Sequence, residues 1–224
     1  MAGMRLELKG SLTPMEVVRR DESALQTGDP RIMVARCSEL ALTLGVSQDL
    51  TAEPARRAQS LGVPVYHRAS GGAAVLHEPG DLFWSIVLPR SSPLVGRDYV
   101  HAYGRLGEGV VRALPSRLAP RWHPSPEVFP SHCFLSGRGE VLFCGDRILG
   151  GASQHVTPAA ILHHGVILAS VDPRKMEGIF GMPERVRSQY LTSLEELGIT
   201  GEMGIERLGS ALIRWLSEAT LAKR

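Results

Sequence analysis

This sequence of 224 residues has few cysteines, a small net charge and no long apolar run. Its three cysteines, Cys37, Cys133 and Cys144, show no CxxC spacing, so they indicate a reducing cytoplasm rather than a disulfide framework. The net charge of +2 gives no argument for a nucleic acid or an anionic membrane as partner. No apolar run reaches 18 residues, and the N-terminal segment lacks the apolar core of a signal peptide. We therefore expect a cytoplasmic monomer that binds neither nucleic acid nor membrane.

Several common enzyme signatures are also missing. His77-Glu78 begins like HExxH, but Asp81 occupies the second histidine position and Pro79 would break the required helix. The pair His163-His164 lies in a predicted strand, where neighbouring side chains point to opposite faces, so both cannot easily bind one metal. We expect no metal site. The sequence also has no P-loop, no Rossmann fingerprint and no GxSxG elbow, which argues against a serine hydrolase.

What is present indicates one large α/β domain over residues 1–224, since 43% of the residues are hydrophobic. Its motif-bearing core covers about residues 31–172, and a helical part follows at about 173–224. Residues 1–30 are of mixed character. The predicted strands include Arg31–Cys37 and 40–46 as a hairpin, 140–144 with a turn at Gly145-Asp146, and 160–169 after a glycine turn. The predicted helices are 52–61 with Thr51 as N-cap, 98–114, a short one from Pro173, 183–197 and 202–221. Residues 115–130 hold five prolines and indicate a surface loop or lid.

Residues 65–89 read as strand, glycine turn, strand, turn, strand. Two adjacent glycines, Gly71 and Gly72, let a backbone approach a ligand closely with N–H groups free to point at it. A pair of glycines is also common in ordinary β-turns. The residues around this pair are more distinctive. They are Arg68, Ser70, Gly71, Gly72, Val75, His77 and, in the next strand, Ser85.

In order and spacing these residues resemble the motif R-x-(S/T)-G-G-x-x-V-x-H of the lipoate–protein ligase A and octanoyltransferase family. Upstream, Leu44, Gly45 and Gln48 resemble the Leu-Gly-x-x-Gln end of the family's first hairpin. A second block resembles the family's Cys-Phe, Lys-(I/V)-x-G-x-A-Q and L-x-H-G-x-(I/L) patterns. Its matching residues are Cys133, Phe134, Ile148, Gly150, Ala152, Gln154, Leu162, His164, Gly165 and Ile167. Two departures stand out: Arg147 replaces the family's lysine, and one extra residue lies between Gly150 and Gln154.

The resemblance implies a mixed, largely antiparallel central sheet flanked by helices, similar to the biotin–lipoate ligase catalytic fold. It implies transfer of an octanoyl or lipoyl group to the lysine of a lipoyl carrier domain, such as glycine cleavage H protein or a 2-oxoacid dehydrogenase E2. In one branch of the family the acyl group comes from acyl carrier protein and is held on the cysteine of the Cys-Phe motif. Cys133 matches that cysteine, and no cofactor is then required.

By the same resemblance, Cys133 and Arg147 are the candidate catalytic residues. Acyl transfer needs donors for a tetrahedral oxyanion. The expected substrate-binding residues are Arg68, Ser70, Gly71, Gly72, His77, Gly150, Gly151, His164 and Gly165, with Arg147, Gly150 and Gly151 closing over the reacting end. His77 and His164 also fit hydrogen-bonded core histidines. A cation beside Cys133 would favour its reactive thiolate, and Arg147 and His132 are the candidates.

Two other functions stay open at this point. One is ATP-dependent lipoate ligation, which would use ATP and Mg²⁺ with lipoate or octanoate as substrate and needs no protein nucleophile. The other is a non-catalytic protein that binds acyl chains or lipoyl domains, which the replacement of the family lysine by Arg147 keeps possible.

Overall fold

The computed structural model of the protein describes residues 4–95 and 99–222. Asp98, the expected first residue of one helix, lies outside these residues. Within them the strands are β1 (Arg5–Leu12), β2 (Arg31–Cys37), β3 (Ala41–Leu44), β4 (Val65–His67), β5 (Val75–His77), β6 (Leu82–Pro89), β7 (Arg121–Pro124), β8 (Glu140–Cys144), β9 (Arg147–Val156) and β10 (Ala160–Ile167). The helices are α1 (Pro14–Thr27), α2 (Glu53–Ser60), α3 (Tyr99–Ala113), α4 (Pro173–Phe180), α5 (Glu184–Tyr190) and α6 (Ile205–Leu221). Short 3-10 turns cover Ser116–Leu118 and Cys133–Leu135.

Seven strands form the large sheet, in the order β1-β2-β6-β10-β9-β8-β7. The β1–β2 pair is parallel, and the other neighbours are antiparallel. The expectation of a mixed, largely antiparallel sheet flanked by helices is therefore confirmed. A smaller sheet has the order β4-β3-β5 and takes both strands that flank the glycine loop, residues 68–73.

The predicted hairpin between Arg31–Cys37 and residues 40–46 is wrong. Both strands exist, but β2 lies between β1 and β6 in the large sheet, whereas β3 leaves for the small sheet. The alternating pattern that marks a strand does not say which strand it pairs with. The consequence is that β3 carries its residues over one face of the large sheet.

The large sheet is covered on both faces, which explains why β2 and β6 are nearly continuous apolar runs. Alternate residues of β6 point to opposite sides: Trp84, Ile86 and Leu88 pack in a cluster with α3 and α6, whereas Phe83 faces a cluster with the small sheet, α2 and α4. The site described below lies on the second side.

Helix α1 and strand β1 occupy residues for which the sequence indicated only mixed character. Thr13 caps α1: its hydroxyl accepts from the Glu16 N–H, and the Glu16 carboxylate accepts from the Thr13 N–H. The helix ends at Gly28 in the left-handed conformation. Its buried face consists of Pro14, Val17, Asp21, Ala24 and Leu25, so a carboxylate stands within an apolar stripe.

Other predicted elements agree in position but differ in detail. Residues 115–130 are not a plain loop, because β7 pairs there as an edge strand of the large sheet, the place where prolines are tolerated. The expected glycine turn at Gly150-Gly151 is wrong, since both lie inside β9. Helix α2 matches its prediction except that Ala52, not Thr51, is its N-cap. α5 is shorter than expected, and α6 begins at Ile205. In the described residues no helix has the length and apolarity that crossing a membrane requires.

Candidate active site

A cavity of about 560 Å³, including its mouth, lies between α1, the small sheet and strands β6, β9 and β10. Most of its described lining is apolar. The lining residues are Pro14, Val17, Val18, Asp21, Thr43, Arg68, Val75, His77, Phe83, Trp84, Cys133, Phe134, Gly151, Ala152, Ser153, His164, Gly165 and Val166. A largely apolar cavity with a few converging polar groups is typical of a small-ligand site.

The carbonyl groups of the glycine loop accept hydrogen bonds from the side chains of Arg68 and Ser153. The Arg68 Nη2 group donates to the carbonyls of Gly71 (2.7 Å) and Ala73 (2.9 Å), and the Ser153 hydroxyl also donates to the Gly71 carbonyl (3.0 Å). Within the part of the chain that the structure describes, the N–H groups of Gly71 and Gly72 have no acceptor. The carbonyl groups of the loop are therefore held by side chains, whereas the N–H groups of Gly71 and Gly72 remain available as donors.

Gly72 could not be replaced without disturbing two reactive groups. Its φ is +98°, which side-chain-bearing residues rarely adopt, and an added Cβ would lie 2.8 Å from Cys133 Sγ and 2.9 Å from Arg68 Nη2. The close approach of a backbone, which the pair of glycines predicted, is thus an approach to the thiol and the guanidinium.

Cys133 opens the 3-10 turn Cys133–Leu135 and lines the cavity. Its backbone N–H donates to the Ala74 carbonyl (2.9 Å), which ties the turn to the end of the glycine loop. The side chain is 8% exposed, against 2% for Cys37 and 5% for Cys144. All three thiols are buried, and Cys133 differs in facing a cavity.

The two other cysteines are packed at strand ends. Cys37 ends β2 and its thiol donates to the Glu39 carbonyl, and Cys144 ends β8. Burial raises the pKa of Cys37 to about 12 and that of Cys144 to about 11, so neither thiol ionises near neutral pH.

Arg68 is a buried cation beside the Cys133 sulfur. Its Nη2 atom lies 3.7 Å from Sγ, and Nη1 donates to the Thr43 carbonyl (3.2 Å). No carboxylate in the described residues pairs with it. Burial lowers the pKa of the guanidinium and the neighbouring Cys133 raises it, but arginine stays charged at any working pH. A thiolate at Cys133 would supply the missing counter-charge.

His77 is enclosed behind this pair. Its Nε2 is hydrogen-bonded to the Thr43 hydroxyl (2.8 Å), and its buried Nδ1 has no partner in the described structure. Burial, the Arg68 charge and His164 lower the pKa of His77 to about 3, so the ring is neutral.

The two cations that the sequence suggested for Cys133 are not the ones that the structure provides. His132 is buried between the rings of Phe134 and Phe180, and burial lowers its pKa to about 3, so it carries no charge. Arg147 begins β9, is about one third exposed, and its guanidinium bonds to the Glu196 carboxylate (2.6 Å) outside the described cavity lining. Arg147 is the first residue of β9, and its guanidinium bonds to the Leu191 carbonyl and the Glu196 carboxylate. The structure therefore does not bring this arginine to the site.

The three remaining glycines lie where strands and rings pack tightly. A Cβ at Gly151 would lie 2.5 Å from the Phe134 ring, and one at Gly165 would lie 2.3 Å from the Gly151 carbonyl oxygen and 2.7 Å from Trp84. Both line the cavity. Gly150 does not belong to the described lining, because it lies against the Val166 carbonyl within the sheet. Gly151 thus lets Phe134, and with it Cys133, sit against β9.

His164 joins three separate elements. Its Nε2 is hydrogen-bonded to the Ser70 hydroxyl (2.6 Å) and its Nδ1 to the Asp21 carboxylate of α1 (2.7 Å). The adjacent His163 faces the opposite side, where it contacts Trp84 and Tyr103, as expected for neighbours in a strand. The sequence indicated His164 and Ser70 but missed Asp21, whose detectable signal is a carboxylate in the apolar stripe of an amphipathic helix.

Together these groups can perform acyl chemistry at a thiol. Cys133 lies beside a fixed cation and lines an apolar cavity, and the neighbouring Gly72 has an N–H group without an acceptor in the described residues. A thiolate is the reactive form of cysteine, and free N–H donors can stabilise an oxyanion.

A profile of the lipoyl protein ligase A/B catalytic domain matches residues 15–216 of this chain. An octanoyltransferase LipM of an Exiguobacterium species is 28% identical over 170 residues, which are 71% of this chain and 61% of the relative. The chain thus spans about three fifths of that relative's length.

Solved structures show the same fold. A lipoate–protein ligase A bound with ATP superposes with a TM-score of 0.74 at 22% identity, covering 99% of this chain and 86% of the ligase. A bipartite lipoate–protein ligase from Thermoplasma acidophilum, studied together with its E2 lipoyl domain, gives 0.68 at 23% identity, covering 99% and 84%. The expected biotin–lipoate ligase type of fold is confirmed.

Proposed function

The chain belongs to the lipoyl protein ligase A/B catalytic domain family, and from that premise we propose that it transfers an octanoyl or lipoyl group to the lysine of a lipoyl carrier domain through a thioester on Cys133. One observation carries the proposal: a buried guanidinium that has no carboxylate partner among the described residues lies 3.7 Å from the Cys133 sulfur, and both groups line the cavity.

The guanidinium serves both halves of such a reaction. A cation at this distance favours the thiolate, which attacks the incoming thioester, and it favours the same thiolate again as leaving group. Arginine cannot act as a proton acceptor, so its role here is electrostatic. Because Arg68 is anchored by the carbonyls of Thr43, Gly71 and Ala73, its charge is preorganised and needs no rearrangement during the reaction.

The glycine loop suits the tetrahedral oxyanion. Gly72 stands against Cys133 Sγ, and in the described residues neither its N–H nor that of Gly71 has an acceptor, so both are available as donors. One such donor is worth about 3 kcal/mol of transition-state stabilisation in well-studied acyl-transfer enzymes.

The apolar walls suit a medium-length acyl chain. Val17, Val75, Phe83 and Val166 line the cavity together with Trp84, and burial of an alkyl chain is worth about 0.8 kcal/mol per CH₂ group. As donor of the acyl group we propose an acyl carrier protein or an already acylated lipoyl carrier. As acceptor we propose a lipoyl domain of the H-protein or E2 kind. The relatives named above are an octanoyltransferase and lipoate–protein ligases, one of them studied with an E2 lipoyl domain.

Intact-mass spectrometry tests the proposal directly. The protein is incubated with octanoyl acyl carrier protein, and a stable octanoyl adduct is expected on the enzyme, followed by octanoylation of an added lipoyl domain. Cys133→Ser should lose both products, whereas the matched variants Cys37→Ser and Cys144→Ser should keep them.

The alternatives predict different products. If Cys133→Ser still modifies the lipoyl domain when lipoate, ATP and Mg²⁺ are supplied, the protein is a ligase. If no donor gives an adduct or a product with the unsubstituted protein, it binds acyl groups without transferring them.

A further inference from the structure

Aminolysis of a thioester releases a proton that some group must accept. On the proposed function, the nucleophile is a lysine amine, and its nitrogen gives up a proton as the amide forms. The chain contains three lysines, Lys9, Lys175 and Lys223. None is among the described residues that line the cavity, and Lys175 of α4 is paired with Glu78. The described lysines, Lys9 and Lys175, are therefore not placed to act as the base.

The titratable residues of the described lining are Asp21, Arg68, His77, Cys133 and His164. Arg68 cannot accept a proton, and Cys133 is occupied as the thioester. His77 is enclosed, hydrogen-bonded through Nε2, and a poor base because burial lowers its pKa to about 3. This leaves the pair Asp21 and His164.

The geometry of that pair defines which nitrogen is basic. An ionised Asp21 carboxylate can only accept, so His164 Nδ1 donates to it (2.7 Å), and when the ring is neutral the Ser70 hydroxyl donates to Nε2 (2.6 Å). The lone pair of the imidazole is thus on Nε2. The His164 side chain is 13% exposed, and Asp21 is 2% exposed.

The carboxylate is itself held in place. Its second oxygen, Oδ1, lies 4.0 Å from the buried guanidinium of Arg31, which donates to the Arg20 carbonyl of the same helix. Asp21 belongs to the buried face of α1, so the helix positions the carboxylate against β10. A carboxylate, an imidazole and a hydroxyl in this order form an arrangement in which the carboxylate orients the imidazole and stabilises its protonated form, although the sequence has no hydrolase elbow.

We propose that His164 is the catalytic proton acceptor of the aminolysis step and that Asp21 is its positioning residue. The amine displaces the Ser70 hydroxyl from Nε2 and attacks the thioester carbon, so the C–N bond forms and the carbonyl electrons move to oxygen. One N–H proton passes to Nε2. The carbonyl then re-forms as the C–S bond breaks, leaving an amide, the Cys133 thiolate beside Arg68, and an imidazolium beside Asp21.

The test separates the two half-reactions. His164→Gln and Asp21→Asn are first charged with octanoyl acyl carrier protein, and the adduct on Cys133 is measured by intact mass. Each adduct is then discharged by a lipoyl domain or by hydroxylamine, a small nucleophile that is neutral at pH 7 and passes its proton to the solvent rather than to a group of the enzyme. His123→Gln and Asp29→Asn, both at exposed positions, are the matched controls.

We expect both variants to form the adduct. Discharge by the lipoyl domain should fall about 100-fold or more for His164→Gln and about 10-fold or more for Asp21→Asn, whereas discharge by hydroxylamine should stay within about 3-fold of the unsubstituted protein. The controls should match the unsubstituted protein in both reactions.

Two results would overturn the inference: unchanged discharge by the lipoyl domain in His164→Gln, or an equal loss with both nucleophiles, which would mean a structural role. If His164→Gln fails to fold, as judged by circular dichroism, Asp21→Asn decides by the same two rates. Absence of any adduct on the unsubstituted protein would instead refute the proposed function on which this inference rests.

Discussion

Replacing Gly72 by alanine should separate catalysis from folding. The residue has φ of +98°, and a Cβ there would stand 2.8 Å from Cys133 Sγ. Strained backbone of this kind costs about 1–3 kcal/mol in a non-glycine residue, which a domain of ordinary stability survives. Ordinary contact between such atoms begins at about 3.5 Å, so the sulfur must move by roughly 0.7 Å. A misplacement of about 1 Å lowers the rate of a positioned reaction by about 100-fold.

The chain offers two matched controls for this prediction. Gly62 also has a positive φ, +72°, but a Cβ there would meet nothing within 4 Å, so Gly62→Ala should have a similar effect on stability without affecting transfer. Gly71→Ala likewise adds a Cβ in open space, without a positive φ, and should be nearly silent.

Urea denaturation and single-turnover transfer, followed by intact mass, measure the two effects. We expect Gly72→Ala and Gly62→Ala to lose comparable free energy of unfolding, and Gly72→Ala alone to lose about 100-fold in transfer. Transfer at the unsubstituted rate by folded Gly72→Ala would refute the placement of Cys133 against this loop.

Three further predictions concern charges. Arg68→Gln should slow alkylation of Cys133 by iodoacetamide at pH 7 by about 10-fold or more, because the thiolate loses its cation; an unchanged rate would show that the guanidinium does not activate the sulfur. Arg147→Gln should leave transfer unchanged and lower the free energy of unfolding by at most about 1 kcal/mol, since its ion pair with Glu196 is about one third exposed and lies outside the cavity lining; a tenfold loss of transfer would contradict this. Because burial lowers the pKa of His132 to about 3, the unfolded chain takes up its proton below pH 6.5 while the folded chain does not, so stability falls as the pH decreases from about 6.5 toward 3. Between pH 7 and 5 this amounts to about 2 kcal/mol, which urea denaturation should show to be lost in His132→Gln and kept in the exposed control His123→Gln.

Local patterns were sufficient wherever a property depends on neighbours in the chain. The alternation in residues 65–89 predicted β4, β5 and β6, and the glycine pair predicted a close approach of backbone. Cys37 and Cys144 stand at the ends of two predicted strands, and both are buried there. The largely antiparallel sheet followed from the family resemblance. These features depend on periodicity and backbone conformation, which a short segment already specifies.

Partners across the fold could not be read in this way. Strand pairing decided that β3 leaves β2 for the small sheet, which carries Thr43 to Arg68 and His77. The direction of the Arg147 side chain decided that its guanidinium bonds to Glu196 rather than to Cys133. Spacing along the chain contains no information on either distance.

The cation and the carboxylate of the site are the clearest contrast. From the sequence alone, the family resemblance predicted that Arg68, Cys133 and His164 belong to motifs of an acyl-transfer site. Only the tertiary structure placed the Arg68 guanidinium 3.7 Å from the sulfur of Cys133, which lies 65 positions later in the chain. It likewise brought the Asp21 carboxylate to 2.7 Å from the ring of His164, which lies 143 positions later. The physical reason is that burial makes such charges pair across the core, and the folded packing of α1 and the two sheets chooses the partners.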